Sequence, residues 1–250
     1  MTYCLGMLLD AGLIMIADTR TNAGVDDISS FRKLHCLADS EDRCIYAASA
    51  GNLSTSQTVI SLLRQGLPAG EGEELVRTIA EPSSMFRAAQ LVGEAMVLAN
   101  QTVGKALSTL KISGAASLLL GGRIGDSPPS LFLIYSAGNF IECKPDMPFF
   151  QIGETKYGRP ILDRIMHPST SLGEAVKIGF LSFDAAIRSN LAVGRPLDVM
   201  IMPSATNSKV QTRRVGIDDP YFNDLSMRWG DLLSDAAAII PDPPFMSEHG

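Results

Sequence analysis

The chain has 250 residues, 46% of them apolar and 19% charged, with a net charge of −6. That length suits a large layered domain, and an acidic balance with scattered basic residues argues against nucleic acid or an anionic membrane as partner. No apolar run approaches the roughly 18 residues of a membrane span, and the first stretch carries Asp10 and Asp18 without a basic leader, so neither a membrane segment nor a secretory signal is expected. Cys4, Cys36, Cys44 and Cys143 are dispersed with no C-x-x-C spacing, which points to reduced thiols in a cytoplasmic protein. Without a secretory route, the sequons at Asn52 and Asn100 are chance matches.

In chain order, residues 2–9 read as an apolar strand, Asp10-Ala11-Gly12 as turn chemistry, and 13–18 as the hairpin partner, an edge hairpin by its position in the chain. TRTNAG reads as a loop. Strands are predicted over 31–37 and 43–49, joined by the polar ADSED turn. The character then changes. Leu53, Val59, Ile60, Leu62 and Leu63 form a helical apolar face with Gly66 near its end, and a second helix is predicted over 83–107. Strands return at 114–124, at 131–135 and 140–143 across the turn Ser136-Ala137-Gly138-Asn139, and at 149–152. Helices at 158–166 and 172–189 follow, then strands at 197–202 and 209–215. An amphipathic segment over 221–240, centred on Trp229, leads into the tail PDPPFMSEHG, expected to be loose. Strands, two helices, strands, two helices and strands bury their faces best as two sheets between two helical layers. The expected organisation is one layered domain over 2–216 and a C-terminal extension over 217–250.

Several motifs are absent. There is no G-x-x-x-x-G-K-[ST] loop and no G-x-S-x-G elbow, and Gly121-Gly122-Arg123-Ile124-Gly125 reads as a strand end and turn. His35, His167 and His249 have no ligand spacing, so neither a metal site nor a His-based triad is expected.

The amino-terminal residues carry the better chemistry. A Thr hydroxyl is a weak nucleophile, but an α-amine on the same residue titrates at about 7.7–8.0 and can take its proton. That requires Thr2 to be the first residue, so Met1 is expected to be removed. A nearby Lys keeps the amine neutral and stabilises developing negative charge, and a buried Asp holds the Lys. Thr2, Asp18 and Lys33 are the right residue types, and Asp18 ends the hairpin partner of the strand that Thr2 begins. At Ser49-Ala50-Gly51-Asn52 a strand gives way to a helix, where the Gly51 N–H is a candidate oxyanion donor. Each of these residues also has a plain structural reading as a strand residue, a strand end or a turn.

TYCLGMLLDAGLIMIADTRTNAG, FRKLH and the SAGN–helix junction, with LFLIYSAGNFIE and FFQIGETKYGRPIL further on, resemble the proteasome β-subunit family of N-terminal nucleophile hydrolases, closest to its bacterial Anbu (ancestral beta-subunit) branch, over about residues 2–216. The resemblance implies an α+β, four-layer αββα sandwich and threonine-type peptidase chemistry without a cofactor. It implies Thr2 as nucleophile, Asp18 and Lys33 as the supporting pair, Gly51 as oxyanion amide and Arg20 as a structural partner. Thr21 and Asn22 match positions whose backbone aligns a peptide substrate, and Ser49 a position lining the pocket for the side chain before the scissile bond. Where the family has a Gly-Ser-Gly-Ser turn this chain has Gly153-Glu154-Thr155, so Glu154 is expected to hold the amine by charge. The family's later Asp-x-x-Ser pair falls near Arg188-Ser189-Asn190, which leaves Ser189 as the remaining helper. No propeptide is expected before Met-Thr. Homo-oligomers in rings or spirals are also implied, and with no ATP-binding motif any energy-dependent unfolding would need another protein. The rival expectations are a small-amide acylase or amidase of the same fold and a non-catalytic scaffold subunit.

Overall fold

A computed structural model describes residues 2–22, 28–68, 76–206 and 208–249, with the side chains of residues 22, 28, 29, 105 and 247–249 excepted. Met1, whose removal is expected, Ala23 and Gly24 of the expected loop, and Gly250 of the tail lie outside the described residues. The chain divides into two compact units, Met1–Gly216 and Ile217–Gly250.

In the first half, β1 (Tyr3–Leu9), β2 (Gly12–Asp18), β3 (Arg20–Asn22), β4 (Ile28–Ser30), β5 (Leu34–Ser40) and β6 (Arg43–Gly51) lead into α1 (Leu53–Gln65). Short β7 (Leu67–Pro68) and β8 (Val76–Arg77) precede α2 (Met85–Thr109). The second half runs β9 (Ala116–Ile124), β10 (Ser130–Ile134), β11 (Phe140–Glu142), β12 (Phe149–Gly153), α3 (Arg159–Ile165), α4 (Leu172–Ser189), β13 (Leu197–Pro203) and β14 (Gln211–Val215). Among the described residues two five-stranded antiparallel sheets form, ordered β12-β1-β2-β13-β14 and β11-β10-β9-β6-β5. α1 and α2 pack on the second sheet and α4, with α3 beside it, on the first. The result is the four-layer αββα sandwich expected from the sequence.

Side-chain alternation sorts β1 between two cores. Cys4 joins Leu13, Met15, Ala48, Ala50, Leu119 and Leu131 in the layer between the sheets. Tyr3 points the other way, stacking on Phe183 of α4 with ring centroids 4.2 Å apart. A Cβ at Gly179 of α4 would meet Ile16, Met7 and Leu5, so these three also face α4. Both faces of β1 and β2 are covered, so the sequence there is a continuous apolar run rather than an alternation.

Helices α1, α2 and α4 begin at side-chain caps: Asn52 accepts from the Thr55 amide, Ser84 from Arg87 and Ser171 from Glu174. In the second unit, Asp219 caps α5 (Pro220–Ile239) by accepting from the Phe222 amide. Among the described residues, no helix is long and apolar enough to cross a membrane.

Four expectations are corrected. The β1–β2 hairpin is interior, because β12 and β13 from the second half flank it. TRTNAG is not simply a loop: Arg20–Asn22 pairs with Ile28–Ser30 as a two-stranded ribbon. The strand expected from residue 31 starts at Leu34, because Lys33 turns its side chain to Asp18. The tail forms a 3-10 helix, Pro244–His249.

Candidate active site

β1 and β2 are in register with Cys4 opposite Ala17, so the next pair brings Tyr3 beside Asp18. Asp18 is 0% exposed and Thr2 8% exposed. The Asp18 carboxylate collects three donors: Oδ1 accepts from Lys33 Nζ at 2.7 Å and from the Tyr3 amide at 3.0 Å, and Oδ2 from the Gly194 amide at 3.4 Å. Burial pushes the Asp18 carboxyl above its usual range, and the Lys33 charge and these donors oppose it. Lys33 is 4% exposed and also donates to the Arg20 carbonyl. The ammonium is thus pinned between the ends of β2 and β3.

The backbone of Thr2 is held from the far edge of the sheet. Tyr3 pairs with Gly153, and the Glu154 amide donates to the Thr2 carbonyl at 2.6 Å. Gly153 has φ +81°, and a Cβ there would lie 2.0 Å from the Thr2 oxygen and 3.4 Å from the Ala50 side chain. Only glycine permits this approach, which also brings the Ser49–Gly51 stretch alongside Thr2. Gly51 has φ +101°, with Ala115 packed where a side chain would stand. The Ser49 amide donates to the Lys33 carbonyl at 3.1 Å, so the end of β6 is tied to the lysine. Burial, with Asp18 adding to it, drives the Cys4 thiol far above its ordinary range, so the cysteine nearest Thr2 is no competing nucleophile.

Arg20 acts as a strut: its Nη1 donates to the Leu191 carbonyl at 3.1 Å, and its guanidinium occupies the space where Gly194 lacks a Cβ. In β3, Thr21 Oγ1 is buried without a hydrogen-bond partner among the described residues. Asn22 ends β3.

Glu154 is buried, and its carboxylate is already engaged. Oε1 accepts from the amides of Lys156 at 2.6 Å and Tyr157 at 3.2 Å, and Oε2 from Asn190 Nδ2 at 2.8 Å. Burial acts to raise its pKa, but these donors and the Lys156 charge outweigh it and hold the carboxyl below its ordinary value. Ser189 is exposed at the end of α4 and lines a cleft of about 410 Å³ with Glu154 and Asn190. The side chain that reaches Glu154 is the neighbouring Asn190.

The sequence reading missed Asn190 and Gly194. Asn190 stands at the C-cap of α4, a position where many polar residues serve equally well, and Gly194 lies in a loop with no motif. It also missed a buried polar group behind Thr2, where the Tyr3 hydroxyl meets Ser182 Oγ at 2.6 Å and accepts from Gln151 Nε2 at 2.7 Å. Among the described residues, no group of three His, Cys, Asp or Glu side chains is arranged to hold a metal ion.

Two stacked antiparallel sheets between helical layers, with the first strand interior in its sheet, define an N-terminal nucleophile hydrolase fold. The family model for proteasome subunits matches residues 2–202. An Anbu Gly-1 mutant from Hyphomicrobium sp. strain MC1 is 41% identical at a TM-score of 0.86, covering 97% of this chain and 99% of its own. Anbu (ancestral beta-subunit) from Yersinia bercovieri is 41% identical at 0.85, covering 97% and 98%. A structure described as the helical assembly of the Anbu complex from Pseudomonas aeruginosa is 39% identical at 0.85, covering 97% and 98%. No curated protein sequence matched. The chain belongs to the proteasome subunit family, in its Anbu branch.

Proposed function

We propose that the protein is a threonine-type N-terminal nucleophile hydrolase that cleaves peptide bonds through Thr2 once Met1 has been removed. The observation that carries this reading is the buried Lys33–Asp18 pair, 2.7 Å apart and tied by Asp18 to the Tyr3 amide, one residue from Thr2. A desolvated lysine beside a threonine keeps an adjacent amine neutral and favours an oxyanion. Extending the alternation of β1 by one residue puts Thr2 on the Cys4 face, toward Ala50 and Gly51, which supports Gly51 as the amide that receives the oxyanion.

In this reading the α-amine of Thr2 takes the hydroxyl proton as Oγ bonds to the substrate carbonyl carbon, whose oxygen becomes negative. The ammonium then gives that proton to the leaving nitrogen, the C–N bond breaks, and an ester to Thr2 remains. Water, deprotonated by the amine, attacks the ester and restores the hydroxyl. Arg20 braces the Asp18–Gly194 corner, the backbone of Thr21 and Asn22 aligns the peptide as an added strand, and Ser49 lines the pocket before the scissile bond. Glu154, held by Asn190, fixes the turn that grips Thr2, and Ser189 lines the cleft beside it. The domain runs over 2–216 with 217–250 as an extension, and the enzyme works in the cytoplasm as a homo-oligomer of the spiral or ring type, a reading supported by the helical assembly of the Pseudomonas aeruginosa relative.

Intact-mass analysis with a peptide epoxyketone, which captures the hydroxyl and amine of an N-terminal Thr together, tests the chemistry. The expected result is a chain lacking Met1 that gains one adduct, lost in Thr2→Ala. A chain that keeps Met1 and gains no adduct, with Thr2→Ala behaving as wild type in peptide cleavage, overturns the proposal in favour of a scaffold subunit.

A further inference from the structure

Beside the candidate nucleophile lies a cleft of about 310 Å³, walled by β5, the end of β6 and α1. Its polar lining includes Arg32, His35, Ser49, Gln57 and Arg64, and no carboxylate is among its lining residues. The cleft adjoins the candidate site through two covalent neighbours: Arg32 precedes Lys33, and Ser49 precedes the Ala50–Gly51 stretch that runs alongside Thr2.

The cations in this cleft are under-neutralised. Arg32 Nε stands 3.6 Å from Asp198, but that carboxylate is already held by Arg214 through bonds of 2.7 and 2.9 Å. The Arg32 side chain is 65% exposed and lines the cleft. Arg64 donates only a 3.4 Å bond to the Cys36 carbonyl and has no carboxylate partner among the described residues. Ser49 is buried, and its hydroxyl makes no hydrogen bond among the described residues. His35 supplies a third polar group and is held neutral: burial, then the charges of Arg64 and Arg32, pull its pKa down to about 4.

We infer that this cleft selects an acidic side chain, glutamate or aspartate, at the residue whose carbonyl Thr2 attacks. A carboxylate there meets two guanidinium groups in a partly enclosed space, where charge-assisted hydrogen bonds are stronger than in open water, together with an uncommitted hydroxyl. A lysine or arginine in the same place meets two like charges. The inference rests on Thr2 being the attacking group only for the naming of the substrate position; the charge preference belongs to the cleft itself.

The test uses acetylated tripeptides ending in glutamate, leucine or lysine, as free acids for binding by calorimetry and as epoxyketones for labelling, on the full chain. The expected result is that the glutamate peptide binds and labels about tenfold better than the other two. Arg64→Glu is expected to remove that preference, and Arg64→Lys to retain most of it at an unchanged melting temperature. Equal binding of the three peptides, no binding of any at millimolar concentration, or a preference untouched by Arg64→Glu overturns the inference. Selective binding of the glutamate acid, lost in Arg64→Glu, with no labelling by any epoxyketone, sustains the cleft and refutes the nucleophile.

Discussion

Replacing Lys33 with methionine keeps most of the side chain's volume and removes its charge. Asp18, 0% exposed, would then keep only the amides of Tyr3 and Gly194, at 3.0 and 3.4 Å. Stripping one partner from a buried ion pair costs about 3–5 kcal/mol, because the remaining charge stays desolvated. For a domain of this size each kcal/mol moves the melting temperature by about 2–4 °C, so the variant should melt roughly 6–20 °C lower. The double variant Lys33→Met/Asp18→Asn should recover about 1–3 kcal/mol of that loss, because a neutral amide oxygen still accepts from Tyr3 and no buried charge is left. Urea unfolding of wild type, both single variants and the double at neutral pH, at one protein concentration, measures the cycle. A cost below about 1 kcal/mol for Lys33→Met, or strict additivity in the double, would mean the pair behaves as a screened surface contact and would refute the account of the site.

Three further outcomes follow from the same geometry. The folded-state pKa of Glu154 lies below its unfolded value of 4.5, so its stabilisation is present above pH 4.5 and lost as pH falls through the folded value. Glu154→Gln should therefore flatten the acid limb of a plot of melting temperature against pH. Gly153→Ala places a Cβ 2.0 Å from the Thr2 carbonyl at φ +81°, and should cost at least about 1–3 kcal/mol and abolish epoxyketone labelling, read by thermal melts and intact mass. His35, lowered from 6.5 to about 4, withholds stability as pH falls from 6.5 toward 4, so its ring resonances should titrate near pH 4 by NMR and His35→Gln should lessen the loss in that window.

The sandwich was legible because its punctuation is local. Asn52, Ser84 and Ser171 cap helices through bonds to amides three residues on, and Gly66 ends α1, so the boundaries are written within a few residues. The interior place of the β1–β2 hairpin was not legible, since its neighbours β12 and β13 arrive more than 130 residues later. The β3–β4 ribbon escaped because its strands, Arg20–Asn22 and Ile28–Ser30, are three residues each and too short to show a periodic pattern. At the site, Thr2, Asp18 and Lys33 stood out by residue type and chain order. Asn190 and Gly194 did not, because their partners Glu154 and Asp18 are 36 and 176 residues away. The basic cleft was hidden in the same way: Arg32, in the link before β5, and Arg64, on α1, meet only in the fold.

The grip on Thr2 has a consequence for how the proposed enzyme would mature. Its carbonyl is held by the Glu154 amide, and the next amide, on Tyr3, by Asp18. Both contacts lie downstream of the bond that joins Met1 to Thr2, so trimming the first residue removes neither. Maturation in the proposed enzyme is then a change of one functional group, an amide becoming an amine, on a scaffold already finished. The unprocessed chain should fold, assemble and melt as the trimmed one does, and the two should be told apart by reactivity alone.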